Sequence, residues 1–261
     1  MFTLHNGDCL TVLPSIPSGS IDAIITDLPY GTTRNKWDSV IELGSMWSEV
    51  KRVLKDDGLF ITTTDEPFTS ILIVSDIEYF KYKITWDKVN RKTGHLNAKV
   101  RPLKVCEDVC IFGYGKNTYN PQMTQGKPYT AVSSGRKTDN YGKQIDNVKT
   151  VNNGMYYPLN LISIPADERG TIGRIHATQK PVALYEYLIK TYTNEGETVL
   201  DIAMGSGTTI EAAERTGRNS IGIEKDEGIF QSAVLRLKSF TPSNTAWCGQ
   251  EPLAERLAGF E

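Results

Sequence analysis

No run of this chain is apolar over the roughly 20 residues that a bilayer span needs, so neither a transmembrane helix nor a membrane partner is expected. The start, Met1-Phe2-Thr3-Leu4-His5, lacks the basic residues of a secretory signal and soon reaches Gly7-Asp8, which makes a reducing cytoplasm the expected compartment. Four cysteines in 261 residues are too few for a disulfide scaffold. Cys106 and Cys110 stand four apart with no second pair or nearby histidine to complete a zinc site. No metal is therefore expected, and two buried thiols of one strand are the simpler reading. Cys9 and Cys248 have no catalytic signature beside them, and the chain has no internal repeat.

What is present describes a globular protein. Hydrophobic residues make up 39% and charged residues 23%, ordinary values for a folded domain, and the length suits one large α/β domain carrying an insertion. The net charge is −2 but unevenly spread: residues 81–149 hold 14 Lys and Arg against 5 Asp and Glu, and the remainder holds 15 against 26. A basic stretch on an acidic background is the footprint of a polyanion binder. Its densest part contains Lys83, Lys88, Arg91, Lys92, Lys99, Arg101 and Lys104, with Tyr82 and Trp86 beside it. Such residues on loops supply phosphate attraction, and Arg34-Asn35-Lys36-Trp37 adds a further basic and aromatic loop.

Hydrophobic periodicity divides the chain. Ile21–Thr26 reads as a short buried strand, Leu43–Leu54 as a helix stopped by Asp56-Asp57-Gly58, Leu59–Thr63 as a strand, Phe68–Val74 as a helix and Tyr79–Trp86 as another strand. From about 87 to 173 the pattern weakens; Asp108–Gly113 still reads as a strand, but Asn117–Asn153 looks loop-rich. The alternation then resumes with a helix over Val182–Thr193, a strand over Thr198–Ala203, a helix over Thr208–Thr216 closed by Gly217, a strand over Ser220–Ile223 and a helix over Glu227–Phe240, with a short helix from Pro252 to Leu257 in the tail. Alternating strands and helices predict a doubly wound, mostly parallel α/β sheet of Rossmann-like type with a loop-rich insertion. The corresponding divisions are 1–86 and 174–240 for two halves of one core, 87–173 for the insertion and 241–261 for a tail.

Two segments carry the chemistry. Asp27-Leu28-Pro29-Tyr30 places a carboxylate, backbone carbonyls and an aromatic face at the end of a buried strand, where ligands of open parallel sheets bind. Asp201-Ile202-Ala203-Met204-Gly205-Ser206-Gly207-Thr208-Thr209 is a glycine turn between a strand and a helix, and Glu224 ends the next strand at the spacing that lets an acid bind ribose hydroxyls. The third glycine of G-x-G-x-x-G is missing, as is the Gly-Lys-Ser/Thr of a P-loop, so a nucleoside cofactor without a phosphate to cradle fits better. Lys180-Pro181 reads as a helix start.

Together these segments resemble the catalytic and cofactor motifs of the S-adenosylmethionine-dependent DNA amino-methyltransferases, and their order resembles the permuted beta group of that family. The resemblance covers most of the chain and implies a Rossmann-like methyltransferase sheet with an inserted target-recognition region. It implies that Asp27 and the backbone carbonyl of Leu28 accept the protons of an exocyclic amine, that Pro29 completes the turn and that Tyr30 stacks on the base. The cofactor residues it implies are Asp8, Cys9, Asp27, Thr178, Lys180, Pro181, Asp201, Ala203, Gly205, Ser206, Gly207, Thr208, Thr209, Glu224 and Lys225. Contacts to double-stranded DNA fall to Arg34, Lys36, Lys88, Arg91, Lys92, Lys99 and Arg101. Leu28 stands where the family has proline, and Ile202-Ala203 where it has Pro-Phe. Asp27, rather than serine, favours adenine N6 over cytosine N4; the other alternative is a cofactor- and DNA-binding protein with impaired catalysis. Carbon-5 cytosine chemistry is not expected, because it needs a thiolate and the Pro-Cys pair is absent. Family members are often dimers, which leaves a homodimer open.

Overall fold

The computed structural model describes residues 1–31, 39–132, 149–166 and 179–240. Arg34, Lys36, Thr178, Cys248 and the expected short helix at Pro252–Leu257 lie outside them.

The chain forms β1 (Phe2–Asn6), α1 (Cys9–Val12), β2 (Ile21–Asp27), α2 (Leu43–Val53), β3 (Leu54–Thr64), α3 (Phe68–Ser75), β4 (Phe80–Asp87) and β5 (Cys106–Phe112). After them come β6 (Thr124–Gln125), β7 (Tyr129–Val132), β8 (Lys149–Asn152), β9 (Met155–Tyr156), β10 (Leu161–Ser163), α4 (Val182–Tyr192), β11 (Thr198–Asp201), α5 (Thr208–Arg215), β12 (Asn219–Glu224) and α6 (Glu227–Phe240). Eight strands make one sheet in the order β1-β12-β11-β2-β3-β5-β4-β10. Only the two pairings of β5 are antiparallel; the others are parallel.

Side chains alternate across this sheet, as strand geometry requires. Ile24, Phe60, Cys110 and Phe112 join one buried cluster with Met46, Trp47, Val50 and Val53 of α2 and Phe68 and Leu72 of α3. Ala23, Ile25, Leu59, Ile61, Val109 and Ile111 join another with Leu184, Tyr185, Leu188 and Ile189 of α4 and Ala212 and Ala213 of α5. Helices therefore cover both faces, which is why the strands read as continuous apolar runs. The Trp47 ring lies edge-on to Phe60 and Tyr79 at centroid distances of 5.0 and 5.9 Å. Helix α2 starts where Glu42 accepts from the amides of Gly44 and Ser45, and ends with Lys51 and Arg52 near its negative pole.

Several expectations need correcting. Asp56-Asp57-Gly58 does not end a helix before a separate strand: Leu54 already pairs with Ile21 and Leu59 with Ala23, so residues 55–58 bulge out of β3. Strands β1 and β10 close the sheet edges without having been anticipated; five and three residues long, they carry too little pattern. Cys110 is buried but Cys106 is exposed, so only one of the two thiols is a core residue. Inside the expected insertion, 87–173, one stretch stands apart. Contact density separates Pro121–Leu159 from the rest, because β5 and β10 both belong to the main sheet. Within that smaller unit the expected loop holds two antiparallel pairs, β6 with β9 and β7 with β8. Tyr156 lies 6.0 Å from the Tyr129 ring and donates its hydroxyl to the Lys127 carbonyl.

Candidate active site

Strands β11 and β2 lie side by side and parallel at the centre of the sheet, with Leu200 opposite Ile24. From β11 the chain proceeds outward to β12 and from β2 outward in the other direction to β3. This reversal is a topological switch point, where the diverging connections leave a crevice at the carboxyl ends of the strands. Asp201 and Asp27 are the last residues of β11 and β2. A cavity of about 470 Å³ opens there.

The glycine turn forms one wall. Gly205 and Gly207 have φ of 50° and 77°, the left-handed region that side chains avoid. The two differ in surroundings: a Cβ on Gly207 would stand 2.9 Å from Leu237 Cδ1, whereas one on Gly205 would meet nothing within 4 Å. The turn is held from behind by Arg236, which donates to the Ser206 carbonyl at 2.7 Å and pairs with the buried Glu211. Glu224 accepts from the Gly205 amide at 2.9 Å and from Asp226 at 2.8 Å, and burial raises its pKa. Asp201 accepts from Thr26 Oγ1 at 2.7 Å and from the Ala203 amide at 3.0 Å; its burial outweighs these donors and pushes it up to about 6. Asp8 caps α1 and receives Lys225 Nζ at 2.9 Å, and that hydrogen bond lowers its pKa. Burial lifts the Cys9 thiol to about 11, which leaves it no nucleophilic role near neutrality.

Asp27 is held by three side-chain donors. Its Oδ1 accepts from Tyr30 Oη at 2.7 Å and Thr63 Oγ1 at 2.5 Å, and its Oδ2 accepts from Lys180 Nζ at 2.7 Å. A carboxylate offers about four lone-pair positions, so one on Oδ2 is left. The Tyr30 ring stacks on Phe68 at 5.5 Å and 23°, which fixes its plane. Leu28 is buried in the core cluster that includes α2.

The sequence brought most of this set together. Asp8, Cys9, Asp27, Leu28, Pro29, Tyr30, Lys180, Asp201, Ala203, Gly205, Ser206, Thr208, Thr209, Glu224 and Lys225 all line the cavity. Pro181 caps α4 instead and Gly207 faces α6, so these two shape the walls without lining them. Among the basic residues, Lys92, Lys99 and Arg101 are exposed, and Arg91 lines the cavity. Lys88 departs from expectation. It is 4% exposed and pairs with Glu107 at 2.5 Å inside the cavity, so it is not a surface phosphate contact. Glu107, Thr63, Gln179, Tyr185 and Met204 were not anticipated. Glu107 is the second residue of β5, and the antiparallel direction of that strand carries its first residues to the edge where the parallel strands end.

An open α/β sheet with a glycine turn and a donor-rich carboxylate on either side of its switch point is the framework of an enzyme that holds its ligand in the crevice between them. The DNA methylase family matches residues 21–235, and the chain belongs to it: it is a DNA methyltransferase of the N6/N4 type. Type II methyltransferase M.HpaI of Haemophilus parainfluenzae is 27% identical over 249 residues, covering 89% of this chain and 73% of the relative. Type II methyltransferase M1.MboII of Moraxella bovis is 28% identical over 241 residues, covering 85% and 90%. The fold is shared with the M1.HpyAVI–SAM complex (TM-score 0.61, 24% identity, 91% of this chain and 99% of that one). It is shared also with the cytosine-N4-specific PvuII DNA methyltransferase (TM-score 0.66, 18% identity, 94% and 90%). Among the described residues no helix is long and apolar enough to cross a membrane.

Proposed function

We propose that this chain transfers the methyl group of S-adenosyl-L-methionine to the exocyclic N6 of an adenine flipped out of double-stranded DNA. The observation that carries this reading is the meeting of Asp27 and the 205–209 turn in the wall of one cavity. That cavity suits the cofactor. Its volume falls within the range of small-molecule sites, and Gly205 leaves open space where a side chain would intrude. Six carboxylates and four cationic side chains line it, a balance that favours a positively charged ligand. In this reading Glu224 accepts from ribose hydroxyls, supported by its position in the cavity wall, where Asp8 and Cys9 also lie, across the β12–β1 pairing. When bound, S-adenosyl-L-methionine supplies an electrophilic methyl on sulfonium.

The remaining work belongs to the chain. The lone pair of an aromatic amine is delocalised into its ring, and acceptors aimed at the two N–H bonds favour a tetrahedral nitrogen whose lone pair is free. Asp27 Oδ2 is one acceptor, and the Leu28 carbonyl is the second. Tyr30, held between its hydrogen bond to Asp27 and its stack on Phe68, orients the carboxylate and offers an aromatic surface. A paired base cannot enter such a cavity, so extrusion from the helix precedes chemistry. Alignment of amine and methyl then supplies much of the acceleration. Lys92, Lys99 and Arg101, all exposed, contact the duplex around the target.

The test is nucleoside mass spectrometry of DNA incubated with the protein and deuteromethyl cofactor. Labelled N6-methyldeoxyadenosine is expected; labelled N4-methyldeoxycytidine would move the reaction to cytosine, and no labelled nucleoside would overturn the reading.

A further inference from the structure

Behind Asp27 runs a chain of alternating charges that the reaction as described does not use. Lys180 Nζ stands between two carboxylates, 2.7 Å from Asp27 Oδ2 and 3.3 Å from Glu107 Oε2. Glu107 Oε1 in turn holds Lys88 Nζ at 2.5 Å. Glu107 Oε2 is buried and meets Lys180 only at that longer distance. The ammonium thus sits closer to Asp27 than to Glu107, with which it keeps a longer contact.

This arrangement is built rather than incidental. Lys88 is fixed by its backbone, its amide donating to Val105 at 2.9 Å and its carbonyl accepting from Ala166 at 3.3 Å. The next residue, Val89, has φ of 56°, a strained value for a β-branched side chain. Trp86, paired with Glu107 across β4 and β5, is itself buried and lies 5.8 Å from Lys88 Nζ. Buried ion pairs seldom stabilise a fold more than apolar packing of equal volume, so stability alone does not explain four charges in the wall of an active site. Lys88 and Lys180 outweigh the burial of Glu107 and keep its carboxyl below the ordinary range.

Lys180 occupies Oδ2, the oxygen that has a position left for the amine. An arriving N–H and a full-strength ammonium contact compete for it. We propose that Glu107, anchored by Lys88, is a positioning residue that provides a second seat for the Lys180 ammonium, drawing it off Asp27 as the target amine binds. The move needs only a small shift, because the two seats share one nitrogen at 2.7 and 3.3 Å.

This inference rests on Asp27 being the acceptor in methyl transfer to DNA. It is tested by steady-state transfer of labelled methyl to DNA, cofactor affinity by calorimetry and thermal melting, for the full chain and for Glu107→Gln, Lys180→Met and the double variant. Glu107→Gln is expected to lose kcat by on the order of 10- to 100-fold, the scale of a misplaced catalytic group, with cofactor affinity and melting close to those of the unsubstituted protein. The double variant is expected to be at least as active as Glu107→Gln alone, since removing Lys180 also removes the competitor for Oδ2. Glu107→Asp, which keeps the charge but retracts it, should lose kcat in the same direction and by less, and it serves if the glutamine variant does not fold. Unchanged kcat in either Glu107 variant, a loss confined to cofactor affinity, or losses that multiply in the double variant would overturn the proposal. An unsubstituted protein that transfers no methyl to DNA would overturn the active-site reading along with it.

Discussion

Asp27 and Asp201 end neighbouring strands yet live in different environments, and each makes its own prediction. Asp27 accepts from Tyr30, Thr63 and Lys180, while Asp201 is buried with its carboxyl raised to about 6. Asp27→Ala removes an acceptor from the reacting amine but little from the cofactor wall, so methyl transfer should fall by about 10²–10⁴-fold while calorimetry still measures cofactor binding. Full activity in that variant would remove the catalytic assignment. For Asp201 the sign follows from the raised pKa: the group is neutral well below pH 6 and gains its charge as pH rises through that value. Affinity for a sulfonium should therefore strengthen between about pH 5 and pH 7, and Asp201→Asn should flatten that rise. Titrations that run parallel for the two proteins would contradict it. Both aspartates were legible in the sequence, because an acid ending an apolar strand is a local pattern. Glu107 and Lys88 were not: their pairing joins the start of β5 to the residue after β4, and strand direction is not written in either segment.

At the level of elements, the turn between β11 and α5 forms one wall of the cavity proposed for the cofactor. Its two glycines share a left-handed backbone but differ in what surrounds them. Alanine at Gly207 meets Leu237 as well as backbone strain, whereas alanine at Gly205 meets strain alone. Left-handed backbone costs about 1–2 kcal/mol in a non-glycine residue, so both variants should melt earlier, Gly207→Ala by the larger margin. Gly205→Ala should show the larger loss of cofactor affinity relative to its loss of stability, since its methyl points into the space left for ligand. Equal effects on both properties in both variants would refute the distinction. Helices and central strands were readable here because each carries one clear period, as in Met46, Trp47, Val50 and Val53 on the buried face of α2. Where the chain bulges, as at residues 55–58 in β3, the local Asp-Asp-Gly signal gave a turn and tertiary pairing gave a strand.

For the whole molecule, the permuted order of segments still closes into one sheet because β2 and β11 pair directly although 170 residues separate them in sequence. Charge is organised on the same scale, but not as composition alone suggested: part of the basic stretch turns inward at Lys88, and part stays outside at Lys92, Lys99 and Arg101. Neutralising those three exposed residues together should weaken DNA binding and reduce the salt slope by up to about 3, near one unit per lost phosphate contact, with cofactor affinity unchanged. An unaltered slope would take this segment out of the DNA interface. The claim on which the rest stands is that donor and acceptor share one crevice at the switch point. A crystal structure with S-adenosyl-L-methionine measures this directly: the account predicts the sulfonium methyl facing Asp27 Oδ2 across a gap wide enough for one nucleobase. A sulfonium seated away from that carboxylate, or pressed against it with no room for a base, would contradict it.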